Sequence, residues 1–305
     1  MSTPIILHHY DASPYAEKIR LMFGLTNTPW KSLLSPARPP RPNLDPLTGG
    51  YRRIPVLQLG ADIICDTALI AEEIAEITSN QKLQPQHLEG RALELVNRAE
   101  QEAFFSAIAA VPPLRLLTTM WMKLGPLQIL PFIKDRKGML EGGTKKGVHP
   151  KKAQHILAAL IDDLESHLNH STWIAGDLPS LADFSVYHVL WLHVSFNRKP
   201  LAAGPNVQRW YSSVSAIGQG PREEITQAEA FELASRALPR AVPSSDGHDS
   251  FKVGQSVSVS PEDYAVIPVH GELVSINSNR IILARDTSQF GLLHVHFPRS
   301  GYSIS

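Results

Sequence analysis

The order of apolar patterns between residues 5 and 77 constrains the fold more than any other feature. Ile5-Ile6-Leu7 is a short apolar run rich in β-branched residues, and Asp11-Ala12-Ser13-Pro14 ends it. It reads as a buried strand. Ser13 followed by Pro14 is a helix-start signal, serine at the N-cap and proline in the first turn. Ile19, Met22 and Phe23 then continue at helical spacing to about Gly24. Trp30-Lys31-Ser32-Leu33-Leu34 reads as a second strand, and a proline-rich irregular segment fills 35–53. Residues 54–59 form a third strand with Pro55 near its start, which suits an edge or cis position. Gly60-Ala61-Asp62 turns the chain into a fourth strand, Ile63-Ile64-Cys65, and Asp66 or Thr67 opens a helix through Ala71, Ile74 and Ile77. The order is β-α-β, an irregular connection, then β-β-α.

After Ser79-Asn80 the period becomes helical. Residues 88–111 place Leu93, Val96, Ala99 and Ala103 on one face. From Lys151 a helix carries Leu157, Ile161, Leu164 and Leu168. Residues 181–195 are apolar nearly all round, as a central buried helix should be. Two more helices cover about 205–217 and 224–237. Residues 112–148, with Pro112-Pro113, Pro126, Pro131 and Gly142-Gly143, resolve into no clear element. No strand pattern occurs between 80 and 240. Residues 239–249 form a polar linker, and beyond it the period becomes two: Ser256-Val257-Ser258-Val259-Ser260 alternates strictly. Further strands fall at 273–276, 280–284 and 292–297, with turns at Asn277-Ser278-Asn279 and Asp286-Thr287-Ser288. Four or five short strands in about 55 residues predict a separate, small β-barrel-like unit. The expected domains are 1–80, 85–240 and 250–305.

Acidic and basic residues balance at 29 each, which argues against binding nucleic acid through a basic surface. Cys65 is the single cysteine, so no intrachain disulfide exists. With a start that lacks a basic flank and an apolar stretch, this predicts a cytoplasmic protein. No run of eighteen apolar residues is present, so no membrane span or membrane partner is expected.

Three places suit chemistry. At Ser13-Pro14-Tyr15 a helix N-terminus exposes unpaired N–H groups and partial positive charge. It stabilises a thiolate placed there, and a serine hydroxyl can donate to the sulfur; alternatively Ser13 is an N-cap alone. At Arg53-Ile54-Pro55-Val56 a cis proline would free the preceding backbone to pair with an extended peptide, or Pro55 is an edge-strand proline. At Cys65-Asp66-Thr67-Ala68 the Thr67 hydroxyl and N–H groups can bind a carboxylate and Asp66 an ammonium, or the two are a capping pair. Elsewhere, structural readings are expected. Cys65 is a small buried strand residue. His294 and His296 share a strand face without an evident third ligand, so no metal is expected. Gly142-Gly143-Thr144-Lys145-Lys146-Gly147 lacks phosphate-loop spacing and is a loop. Met120, Trp121 and Met122 either fill the helical core, the expected role, or line an apolar pocket.

The three places occur in an order that resembles the glutathione transferase family. "ILHHYDASPYAEKIRLM" resembles that family's first strand and helix, and "RRIPVLQLGADIICDTALIAEEI" its cis-proline strand, hairpin and third helix. "WIAGDLPSLADFSVYHVL" resembles its helical domain, where Ser180 and Asp183 cap the buried helix. "EAFELASRALP" and "GLLHVHFPRSGYSI" are similar to a subgroup with an appended C-terminal domain. The resemblance implies a thioredoxin-like α/β domain, an all-α domain and a small all-β barrel-like domain. It implies a serine-type transferase with glutathione as co-substrate, a small apolar electrophile as second substrate, and a homodimer. Ser13 would activate the thiol, Ile54 before cis Pro55 would pair with the cysteinyl unit, and Asp66 with Thr67 would hold the γ-glutamyl end. Arg53 takes a position near the peptide. Tyr10 and Tyr15 are alternative hydroxyls. Asp66, where the family has Glu, shortens the acidic arm by one methylene. Serine in place of cysteine at 13 argues against glutaredoxin-like chemistry. The rival reading is a non-catalytic scaffold that keeps the fold.

Overall fold

The computed structural model describes residues 3–245 and 251–305; part of the expected linker, 246–249, lies outside them. The first domain runs β1 (Ile5–His9), α1 (Pro14–Leu25), β2 (Trp30–Leu34), α2 (Asp45–Thr48), β3 (Val56–Leu59), β4 (Asp62–Cys65) and α3 (Thr67–Thr78). β1 lies between β2, parallel to it, and β3, antiparallel; β3 and β4 form the hairpin. This is the expected order, and the Ile54–Pro55 peptide is cis.

The helical region runs from α4 (Gly90–Asn97) through a π-helical stretch, Arg98–Ala103, into α5 (Phe104–Ala109). Next come α6 (Pro113–Leu124), α7 (Pro126–Gly138), α8 (Pro150–His167), α9 (Leu181–Asn197) and α10 (Pro205–Ile217). α9 is the central helix. Ser180 and Asp183 form a capping box at its start, and the Asp183 carboxylate also accepts N–H groups from Ile174 at 2.9 Å and Trp210 at 2.8 Å. α6 and α7 occupy the stretch that resisted assignment. Pro113 and Pro126 stand in the first turns of these helices, where a missing N–H costs nothing, so they start helices rather than break them. Of the three residues expected in the helical core here, only Met120 is buried; Trp121 is 59% and Met122 65% exposed. Among the described residues no single helix is long and apolar enough to cross a membrane.

One sequence expectation is overturned. A strand does occur between 80 and 240: β5 (Arg222–Glu224) pairs parallel with β2. Three residues are too few to show a period, and backbone pairing alone defines the strand. α11 (Gln227–Arg236) follows it and buries Ala230 against Ile6 and Leu33 of the first sheet, so the end of the 85–240 segment packs as part of the first domain.

β6 (Ser256–Pro261), β7 (Val269–Ile276), β8 (Arg280–Thr287), β9 (Gly291–Pro298) and β10 (Tyr302–Ile304) are present as the expected C-terminal β unit, with β10 pairing back onto β6. β9 also pairs parallel with β4, Asp62 opposite His294 and Ile64 opposite His296, which joins this unit to the first sheet in one ten-stranded order. The physical reason is the edge of β4: its unpaired backbone groups need a partner. The two regions also share one apolar core, with Val56, Ile63 and Cys65 packed among Leu293, Val295 and Phe297.

Candidate functional site

A cavity of about 330 Å³ lies where all three parts of the chain meet. Arg53, Ile54, Pro55, Asp66 and Thr67 line it from the first domain, together with Tyr15 and Tyr51. Glu100, Gln101, Phe105 and Lys145 line it from the helical region, and Asp263, Tyr264 and Tyr302 from the C-terminal strands. Five of the six residues singled out in the sequence therefore converge on one space.

Ser13 is the sixth and does not line that cavity. It is 1% exposed and caps α1: its Oγ accepts the Ala16 N–H at 3.2 Å. The capping role leaves its own O–H available as a donor. Tyr15, two residues on, does line the cavity; its ring packs at a tilt against Phe104 and His188, and its hydroxyl pairs with that of Tyr264. Burial, with the Tyr264 hydroxyl adding to it, pushes the Tyr15 phenol well up, so it stays protonated.

Arg53 joins first domain and C-terminal strands. Its guanidinium pairs with Asp263, donates to the Tyr264 carbonyl at 2.6 Å, lies 4.0 Å from the Tyr264 ring centroid and 3.6 Å from Asp66 Oδ2. Asp66 caps α3 with φ of 75° and ψ of 141°, backbone that a non-glycine residue holds only under strain. Its Oδ1 accepts the Ala68 N–H at 3.1 Å and its Oδ2 the Tyr302 hydroxyl at 2.9 Å. Tyr302 in turn lies 2.6 Å from the Tyr51 hydroxyl. Because Tyr302 donates to the carboxylate, Tyr51 donates to Tyr302. Burial pushes both phenols well up, which keeps this chain of donors intact.

Tyr51, Lys145, Tyr264 and Tyr302 escaped the sequence reading. Lys145 lies in the loop dismissed as a poor phosphate motif. That loop is a docking strip: the Lys145 N–H donates to the Asp263 carbonyl at 2.9 Å, and a Cβ at Gly143 would come within 2.0 Å of the same oxygen. The Lys145 ammonium donates to the carbonyl and Oε1 of Gln101.

A second cavity, about 430 Å³, lies away from this site and is lined by mutually paired charges of Glu72, Glu73, Arg240 and Arg280. His296 borders it, and Asp62, His294 and His296 bring potential metal-ligand atoms within 4.8 Å of one another. His296 is already engaged at both nitrogens, Nε2 to Asp62 at 2.8 Å and Nδ1 to an Arg280 donor at 3.4 Å. A guanidinium only donates, so Nδ1 is the acceptor and Nε2 carries the proton, the form that donates to Asp62 rather than ligating a metal. Cys65 is buried, and burial pushes its thiol well up, leaving it unreactive.

Comparison with known proteins places the chain in a family. The glutathione S-transferase N-terminal domain matches residues 7–82, and the glutathione S-transferase C-terminal domain matches residues 120–217. A GST-like protein from Pseudomonas syringae is 32% identical over 100% of this chain and 99% of its own, with a TM-score of 0.77. The chain belongs to the glutathione S-transferase family. Other solved members are more distant. A glutathione S-transferase from Xanthobacter autotrophicus is 18% identical over 70% of this chain and 93% of its own, TM-score 0.46. A delta-class glutathione transferase from Nilaparvata lugens is 15% identical over 76% and 95%, TM-score 0.49. No curated protein matches the chain significantly. The N-terminal family match spans Ser13, Arg53, Ile54, Pro55, Asp66 and Thr67; Tyr264 and Tyr302, which close the cavity, lie beyond both matched domains.

Proposed function

We propose that this transferase-family chain binds glutathione in the 330 Å³ cavity and conjugates it to a small apolar electrophile. The observation that carries this reading is the convergence of Arg53, Ile54, Asp66 and Thr67 on one space at the N-terminus of α3. There the Thr67 hydroxyl and the first-turn N–H groups suit a carboxylate. The Ile54 backbone suits the cysteinyl unit, and Asp66 the γ-glutamyl end. The sulfur then lies toward the start of α1, where Ser13 donates its O–H to the thiolate. Tyr15 is the alternative donor. The chain's chemistry needs no metal in this reading, and it acts as a cytoplasmic homodimer without nucleic acid or membrane partners.

A second reading, a non-catalytic scaffold, is favoured by two observations: Ser13 is buried away from the cavity, and Asp66 is already bonded to Tyr302. Turnover of glutathione with a generic aryl halide separates the two. The enzyme reading requires it, and calorimetry on Thr67→Ala should show glutathione binding weakened by about 1–3 kcal/mol. Glutathione binding without turnover supports the scaffold; unchanged affinity in Thr67→Ala sinks the proposed site.

A further inference from the structure

The Tyr302 hydroxyl occupies a seat for a donor. It is 2.9 Å from Asp66 Oδ2 and 2.6 Å from the Tyr51 oxygen, and all three residues line the cavity. A ligand ammonium held at Asp66 Oδ2 would compete for this same seat, since it too is a compact donor seeking a carboxylate. The position of Tyr302 is fixed by backbone: it opens β10, paired with Pro261, and its ring packs on Phe297. The remaining charge of Asp66 is met by Arg53 at 3.6 Å. Asp66 Oδ2 is thus already partnered from within the chain.

We infer that Tyr302 is a specificity-determining residue that takes the place of the ligand's ammonium, so that the site accepts thiol peptides with or without a free α-amino group at that end. This rests on the glutathione reading above. A wild-type ligand gains little from its ammonium, because at Asp66 Oδ2 it competes with the Tyr302 hydroxyl already bonded there. Removing the hydroxyl leaves a vacant donor seat between Asp66 and Tyr51, which an ammonium fills and a hydrogen atom does not.

The test is calorimetry with two ligands, glutathione and its des-amino analogue glutaryl-cysteinyl-glycine, on wild type and Tyr302→Phe. Wild type should bind the two with affinities within about twofold, whereas Tyr302→Phe should favour glutathione on the order of tenfold, the worth of a hydrogen bond to a charged group. Asp66→Asn added to Tyr302→Phe should abolish that preference. A wild-type preference for glutathione of about tenfold or more overturns the inference, whether or not the variant folds. So does a ratio that Tyr302→Phe leaves unchanged. Absence of binding by both ligands to both proteins removes the glutathione reading itself, and the inference with it.

Discussion

His296 Nε2 lies 2.8 Å from Asp62 Oδ1, a buried pair joining residues 234 positions apart. The other carboxylate oxygen accepts the Arg240 N–H at 2.9 Å. Burial alone would raise the Asp62 carboxyl, but the hydrogen bond from His296 and the bonds and charge of Arg240 outweigh it and hold it below the usual range. A carboxyl lowered on folding stabilises the protein above its unfolded range, and that contribution is lost as pH falls through the folded value. Asp62→Asn should therefore cost about 1–3 kcal/mol near neutral pH and reduce the loss of stability in acid. Urea melts of both proteins at pH 7 and in acid check this; superimposable curves would mean the pair contributes nothing.

The C-terminal strands extend the first domain's sheet and share its core, so truncation should be costly. A chain ending at residue 240 would expose the β4 edge and the apolar surface around Val56, Ile63 and Cys65. Such an edge invites aggregation. Gel filtration and circular dichroism should show loss of the monodisperse folded species. A soluble fragment melting at the full-length temperature would contradict the shared core.

Acid sensitivity should also come from buried imidazoles. Burial holds His8 down at about 4 despite the hydrogen bond it donates to Gln58, and His188 likewise at about 4. In the unfolded chain both protonate near 6.5. Between those values the unfolded state binds more protons, so stability is intact above about pH 6.5 and falls as pH drops toward 4. By pH 5 each imidazole should remove about 2 kcal/mol. Melting temperatures from pH 7.5 to 5 measure this, and a His8→Gln variant should show a shallower slope.

Asp183 anchors the central helix. It is fully buried and accepts bonds from Ile174, Ser180 and Trp210. Asp183→Ala strands several buried donors at once and should cost about 3 kcal/mol or more. A denaturant melt showing less than about 1 kcal/mol would place the strength of this cap elsewhere.

Local patterns made much of this legible. Ser13-Pro14, Ser180 with Asp183, and the alternation around Val257 each announce an element through residues close in sequence. What escaped depends on distant partners. β5 exists because β2 offers it an edge, and the placement of β9 follows from the free edge of β4. Asp66 and Thr67 were readable as a helix start, but Tyr302, 236 residues away from Asp66, carries no local mark of its role. Trp121 and Met122 have the composition of core residues, yet they face outward, since composition does not say which side of a helix meets the core.

The central claim is that the cavity between Ile54 and α3 holds glutathione, with its sulfur activated at the start of α1. A crystal of the protein with glutathione tests this most directly. The account predicts the cysteinyl unit paired with the Ile54 backbone, a carboxylate at Thr67, and the sulfur within hydrogen-bond distance of the Ser13 hydroxyl. Sulfur beside Tyr15 would transfer the activating role to that residue. Glutathione bound elsewhere, or an empty cavity at saturating concentration, would contradict the account.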